Sequence, residues 1–416
     1  MVIKDFDEIY GIEIPDSWNV EKIEPKVGNV KSGKRLPKGF YVTDMHTSHP
    51  YIRVIDMREG YVDTSELKYV PDEAFSAIQN YRIYKDDIYI SVAGTLGIVG
   101  QIPAYLDGAN LTENANRVTN IKCNVKYLMY WLMSSTIQNI ISQTQTLGAQ
   151  PKLALTRIRN FPVILPSIQE QKKIVEVLSD VDTLIADLQK LIRKKKNIRQ
   201  GTMQMLLSGK HRLDGYSSSW RTSELSKVTS RVGVGLATSV TQYYRDSGTI
   251  IFRNLNIKEN YLDDTDVLYL EEEFASRNPN KAIHKGDVLT VHTGYVGISC
   301  VVPEKYDGAL TFTTLITTTN KKELLPEYLS YHLNSSLGHR VIEDLQTSGG
   351  RKNLNVSDFE KYTLTFPKDI NEQRAIVSVL ADMDVEIRKL EEKLSKYQKI
   401  KQGMMEELLT GKVRLM

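Results

Sequence analysis

An α/β (α+β) fold is predicted, in which two similar globular modules are separated by two long antiparallel helices as a pseudo-two-fold internal repeat. Three observations predict it. First, the 416-residue chain is written twice: SGKHRL (208–213) returns as TGKVRL (410–415), and IQEQKKIVEVLSDVD (168–182) as INEQRAIVSVLADMD (370–384). Upstream, YIRVIDMREGYVD (51–63) matches IFRNLNIKENYLD (251–263), and DDIYISVAGTLGIVGQIP (86–103) matches GDVLTVHTGYVGISCVVP (286–303). A repeat this long is a domain, not a solenoid unit. Second, each copy closes on a segment with helix punctuation and heptad spacing. Third, within the two modules GTLG (94–97) and GYVG (294–297) sit between β-rich runs, as tight turns do. The repeat assigns 1–166 and 213–367 to the modules, and 167–212 and 368–416 to the helical segments.

The helices come first because their signals are strongest. Pro166 and the Ser167-Ile168-Gln169-Glu170 capping box open the first; Pro367, Asp369 and Glu372 open the second. Ile174, Val177, Val181, Leu184, Leu188 and Leu191 then follow 3-4 spacing, as do Ile376, Val379, Met383, Ile387, Leu390, Leu394 and Tyr397. So narrow a stripe suits one partner helix, and the chain supplies that partner itself. Gly201 and Gly403 are expected to break or bend the helices, and Gly209 and Gly411 to end them. Residues 169–200 alone give ~48 Å of helix. The closing GKVRL reads as though it runs on into the opening GIEIPDSW, as GKHRL runs on into DGYSSSW, so the two ends are expected to lie near each other.

Composition bounds the function classes. Hydrophobic residues at 41% and charged residues at 25% describe an ordinary globular protein. A net charge of +3 neither demands a nucleic-acid partner nor excludes one, since local patches matter more than the sum. Cys123 and Cys300 lack any metal or redox spacing and read as reduced thiols. No run approaches the ~18 apolar residues of a membrane span, so the expected location is cytoplasmic.

The catalytic signatures fail one by one. GNVKSGKR (28–35) imitates a phosphate-cradling loop but puts Arg35 where Ser or Thr should hold magnesium. In the second copy only Gly33 returns, as Gly235, which reads it as a turn glycine supplying an unusual backbone angle. Pro15-Asp16 with Glu24-Pro25-Lys26 imitates a nuclease centre, yet Asp16 aligns with Ser218. His46 and His49 have no counterparts and no third ligand. The GTLG of 94–97 and GYVG of 294–297 lie between β-rich runs and read as tight turns.

The ordered parts, with Glu170-Gln171 and Glu372-Gln373 heading the helices and LLSGKHRL and LLTGKVRL closing them, resemble the specificity subunit of type I restriction-modification systems. SGGRKNLNVSDFEKYTLTFP (348–367) before the second helix strengthens that resemblance, which covers essentially the whole chain. It implies two target recognition domains, each reading half of a split site in double-stranded DNA. It also implies helices that set the half-site spacing and dock two methyltransferase subunits, with restriction subunits in the full complex. S-adenosylmethionine, magnesium and ATP would then belong to those partners, and this chain would have no cofactor, metal or catalytic residue of its own. The rival readings are a stand-alone nuclease or methyltransferase, which needs a catalytic constellation, and a coiled-coil scaffold with no DNA role.

Candidate DNA contacts follow from position and chemistry. Lys31, Lys34 and Arg35 form a basic loop, suited to phosphate or merely solvated. Arg53 and Arg253 recur at equivalent positions, and a guanidinium there either pairs with a carboxylate such as Asp56 or holds phosphate or guanine. Arg231, Arg351 and Lys352 are further candidates, with Tyr243 and Tyr244 for packing on sugars or bases. Where the second copy has Arg351 and Lys352 the first has Gln150 and Pro151, followed by Lys152, so Gln150 and Lys152 join the set.

Overall fold

The computed structural model describes residues 10–143, 152–349 and 353–415. They form two compact units: the chain through Leu188 together with the chain from Lys393 on, and Gln189–Glu392. Each unit therefore takes its module, the start of the helix that follows that module, and the end of the other long helix.

In the first unit a four-stranded antiparallel sheet has the order Asn29–Ser32, Ala115–Thr119, Ile88–Ser91, Val99–Gly100. A second sheet, Lys68–Tyr69, Pro50–Ile52, Ala109–Leu111, Arg82–Ile83, is mixed, with 50–52 parallel to 109–111. The strands are short; Val30, Ile52, Ile88, Ile90, Val99, Leu111 and Val118 fill the core. The strands also bury the polar Ser91, Asn110, Asn116 and Arg117, the last paired with buried Asp87. A ribbon of Asn19–Lys22 and Pro162–Leu165 delivers the chain to the first long helix.

The second unit repeats the plan. Its antiparallel sheet runs Thr229–Val234, Thr314–Thr319, Val288–Val291, Ser299–Val301. Its mixed sheet runs Tyr244–Arg245, Leu268–Leu270, Thr249–Phe252, Leu310–Thr311, again with one parallel pair, Ile251 and Phe252 beside Leu310 and Thr311. Trp220–Glu224 and Thr363–Pro367 make the matching ribbon.

The long helices span Ile168–Leu207 and Ile370–Thr410. Within each unit their segments pack antiparallel. In the first, Lys401 pairs with Asp182; in the second, Arg199 pairs with Asp384 and Lys195 with Glu386. The helices also complete each module's core. Ile174, Leu178, Met405, Leu408 and Leu409 join the first, and their repeat equivalents Ile376, Leu380, Met203, Leu206 and Leu207 join the second.

Three helix expectations need correction. Both helices continue through Gly201 and Gly403, where no neighbour lies within 4 Å of the missing Cβ and the chain stays helical. Gly209 and Gly411 do terminate them, with φ of 69° and 78°. Leu191 is 39% exposed while Ile192 is 7% exposed, because a helix of 3.6 residues per turn drifts off a strict heptad. The capping boxes are half formed: the Ser167 hydroxyl accepts from Glu170 N at 3.2 Å, but the Glu170 carboxylate turns elsewhere.

It turns to Arg414, whose Nε and Nη2 donate at 2.5 and 2.9 Å, and to Trp18 Nε1 at 3.1 Å. Its repeat equivalent Glu372 receives Arg212 at 2.9 and 2.6 Å and Trp220 Nε1 at 3.3 Å. The neighbouring glutamines seal the same corner. Gln171 bonds Asn124 N and Pro166 O; Gln373 bonds Leu325 N, Glu323 O and Pro367 O. The Glu-Gln head of one helix, the GKxRL tail of the other and the tryptophan that opens each module are thus one joint made twice.

Candidate nucleic-acid interface

The basic loop of the first module is held from below. Lys31 is exposed on strand Asn29–Ser32, opposite Arg117. Gly33 N donates to Ala115 O and Lys34 N to Leu111 O, while the Lys34 carbonyl accepts from Tyr51 OH. Gly33 has no positive φ; a Cβ there would sit 2.0 Å from Thr112 O, and one at Gly235 would sit 2.2 Å from Thr311 O. The recurring glycine is therefore required for close strand approach and not for an unusual backbone angle. Lys34 Nζ lies 5.5 Å from the Tyr81 ring centre, and Arg35 Nε contacts Glu113 at 2.5 Å. Burial opposes ionisation of Glu113, but hydrogen bonds from Arg35 and Thr112 outweigh it and hold the carboxyl below its usual range. Burial pushes the Tyr51 hydroxyl up to about 12, so it stays a proton donor.

Arg53 opens the short turn Val54–Asp56. Its Nε and Nη2 bond both Asp56 oxygens at 3.0 and 2.6 Å, and Nη2 also donates to Glu66 O at 2.8 Å. Asp56 in turn accepts from Arg53 N at 2.8 Å. Arg253 opens the equivalent turn Asn254–Asn256 with a changed partner set. Asn256 takes the backbone bond at 2.9 Å, and Nη2 reaches Asp266 through both its carbonyl and its carboxylate. Each guanidinium fastens its turn to the following loop, so the carboxylate pairing that the sequence offered for Arg53 is formed.

Arg231 lies mid-strand opposite Thr318 and donates to Asn280 O and Ala282 O, tying strand to loop. Tyr243 stacks on Phe274 at 4.1 Å, and Tyr244 pairs with Leu270; both rings pack against a small core of Leu236, Val240 and Leu310. Lys152 is exposed and bridges Ala93, while Leu153 N bonds Val92 O. Gln150, Arg351 and Lys352 lie outside the described residues.

Several of these segments meet at one end of the first module. Lys34 and Arg35 reach the Arg53 turn through Tyr51, Leu111 and Thr112, whose N–H donates to Ile52 O. Lys152 joins through Val92 and Ala93, with Val92 N bonded to Asn114 O. The second module repeats the arrangement: Phe312 N bonds Phe252 O, Asn254 Nδ2 bonds Thr293 Oγ1, and Leu354 N bonds His292 O. Sequence reasoning missed the exposed Ile55, Leu255 and Tyr295 on these turns; comparing tip residues across the aligned repeats is the signal that finds them.

Among the described residues no three His, Cys, Asp or Glu side chains gather as a metal ion requires. His49 stacks instead on Phe75, with ring centres 3.5 Å apart. Among the same residues no helix is long and apolar enough to cross a membrane.

Comparison with known proteins follows the repeat. The family model for the type I restriction modification DNA specificity domain matches twice, over residues 15–200 and 217–402. The chain is 23% identical to the putative type I restriction enzyme MjaX specificity subunit of Methanocaldococcus jannaschii, over 97% of this chain and 95% of that protein. It is 25% identical to the type I restriction enzyme EcoBI specificity subunit of Escherichia coli, over 48% of this chain and 43% of that one. The fold resembles the crystal structure of a type I restriction-modification S subunit from M. genitalium, with a TM-score of 0.57 at 16% identity, covering 95% and 96% of the two chains. A chain from work on complex assembly and conformational transition of the type I system gives a TM-score of 0.56, again at 16% identity, covering 96% and 99%. With a specificity-domain match on each module and nearly the whole chain covered, this protein belongs to the type I restriction modification DNA specificity family, non-catalytic recognition subunits for which no cofactor of their own is implied.

Proposed function

We propose that each module reads one half of a bipartite site in double-stranded DNA, and that the paired helices set the half-site spacing and carry two methyltransferase subunits. Restriction subunits join the full complex, in the cytoplasm. S-adenosylmethionine, magnesium and ATP act on those partners, while this chain selects the sequence. The observation that carries the reading is the joint made twice, Glu170–Arg414–Trp18 and Glu372–Arg212–Trp220, which fixes two similar modules to one pair of helices. A 40-residue helix is about 60 Å long, and half-sites one DNA turn apart lie ~34–36 Å from centre to centre, so the helices have the right order of length. Lys31, Lys34, Arg35 and Lys152 supply phosphate contacts, and Arg53 and Arg253 contribute by holding the turns beside them.

The test is sequencing of methylated positions in cells carrying the whole system, with and without this chain. A bipartite motif with a constant spacer is expected, and its loss when the chain is deleted. Shortening each helix by one turn should shorten that spacer; an unchanged spacer would sink the spacing role. Binding of random duplex by the assembled complex should weaken steeply as salt rises.

A further inference from the structure

Two features at the shared loop end serve no purpose in the fold. In the second module Tyr295 is 86% exposed at the tip of the 294–297 turn, and Leu255 is 52% exposed on the Asn254–Asn256 turn. Neither side chain joins a core, yet both sit on hydrogen-bonded turns. Gly294 and Gly297 take φ of 80° and 99°, and Gly297 N donates to Val291 O at 2.9 Å. Asn254 Nδ2 donates to Thr293 Oγ1 at 2.8 Å, and Thr314 Oγ1 donates to Asn254 Oδ1 at 3.1 Å, which locks the two turns together.

The first module keeps this frame and changes what it carries. Gly94 and Gly97 take φ of 77° and 80°, Gly97 N donates to Ser91 O, and Arg53 clamps the neighbouring turn. The tips differ: Thr95 stands where the second module has Tyr295, and Val54-Ile55 where it has Asn254-Leu255. Ile55 is 68% exposed. A surface that meets two copies of one protein partner must be alike in both repeats. A surface that meets two different base sequences must differ while its framework stays fixed. The turns show the second pattern, whereas the helix heads and tails show the first. In the first module, Lys34, Arg35 and Lys152 lie on the segments leading to this end, as a polyanion would require.

We propose that these paired turns are the base-reading tips, with Tyr295 and Leu255 determining specificity for the second module's half-site and Thr95 and Ile55 for the first. This rests on the reading of the chain as a DNA-specificity subunit. An aliphatic tip suits a thymine methyl group, and an aromatic tip can stack on a base or wedge a base step open. The experiment uses the assembled methylating complex and a library of random-sequence duplexes, with sequencing of the methylated fraction. Tyr295→Thr and Leu255→Ala should relax discrimination about tenfold at one or two base pairs of one half-site and leave the other half-site untouched. Ile55→Ala and Thr95→Tyr should act on that other half-site. Because the side chains are exposed, melting midpoints should stay unchanged. Unaltered preference, equal weakening on all sequences, or loss of methyltransferase binding would each overturn the assignment. Absence of any bipartite motif for the unmodified complex would instead overturn the functional reading beneath it.

Discussion

Replacing Glu372 by Gln tests the joint that ties module to helices. Glu372 is 0% exposed and accepts two charge-assisted bonds from Arg212 and one from Trp220. The amide keeps the shape and one acceptor but turns an N–H toward the remaining donors. A hydrogen bond to a charged group is worth about 1.5–3 kcal/mol, and a donor left facing a donor adds to the loss. The full cost of breaking a buried ion pair is not reached, because the Arg212 side chain is 28% exposed and can turn to water. The expected loss is about 2–3 kcal/mol, or roughly a 30- to 150-fold rise in unit opening. Hydrogen exchange read by mass spectrometry assigns that opening to peptides. Core strands such as Thr314–Thr319 should exchange faster by that factor, while Ala115–Thr119 in the other unit should not change. Glu170→Gln should produce the mirror result. Arg212→Met should cost more than Glu372→Gln, since it strands a buried carboxylate. A change below threefold in the second unit, or an equal change in both units, would refute the reasoning.

Three further outcomes are expected. His332 is buried, with Nδ1 2.7 Å from Tyr362 OH, and burial pulls its pKa from near 6.5 down to about 4. The unfolded chain therefore takes up a proton first, so stability should fall by about 3 kcal/mol as pH drops from 6.5 to 4, and His332→Phe should remove that part of the slope in a urea titration. Gly33→Ala should destabilise its unit by about 3 kcal/mol through the clash with Thr112 O, whereas Gly94→Ala, with open space but φ of 77°, should cost about 1 kcal/mol; thermal melts compare them. Burial raises the thiol pKa of Cys123 to about 11 and that of Cys300 further, so neither should react with iodoacetamide at pH 8 until the protein is unfolded.

The amino-acid order alone specifies the repeat, the two long helices and their glycine stops, because periodicity and capping are local properties that survive without tertiary context. It also determined that Lys34 has no equivalent cation in the second module, where Leu236 stands. It could not say why Glu170 and Glu372 head their helices. Three residues along they look like capping-box members, and only the folded chain brings Arg414 and Arg212 to them from 244 and 160 residues away. Gly33 was misread for a similar reason: a glycine required by a crossing strand and one required by its own φ look identical in a sequence. The turns show the limit most clearly. Arg53 and Arg253 align perfectly, yet one binds Asp56 and the other Asp266, because Asn256 replaces the nearer carboxylate and the guanidinium takes the acceptor that the loop presents. Side-chain partners are chosen in three dimensions among whatever charges the fold delivers, whereas helix and turn follow the chain's local chemistry.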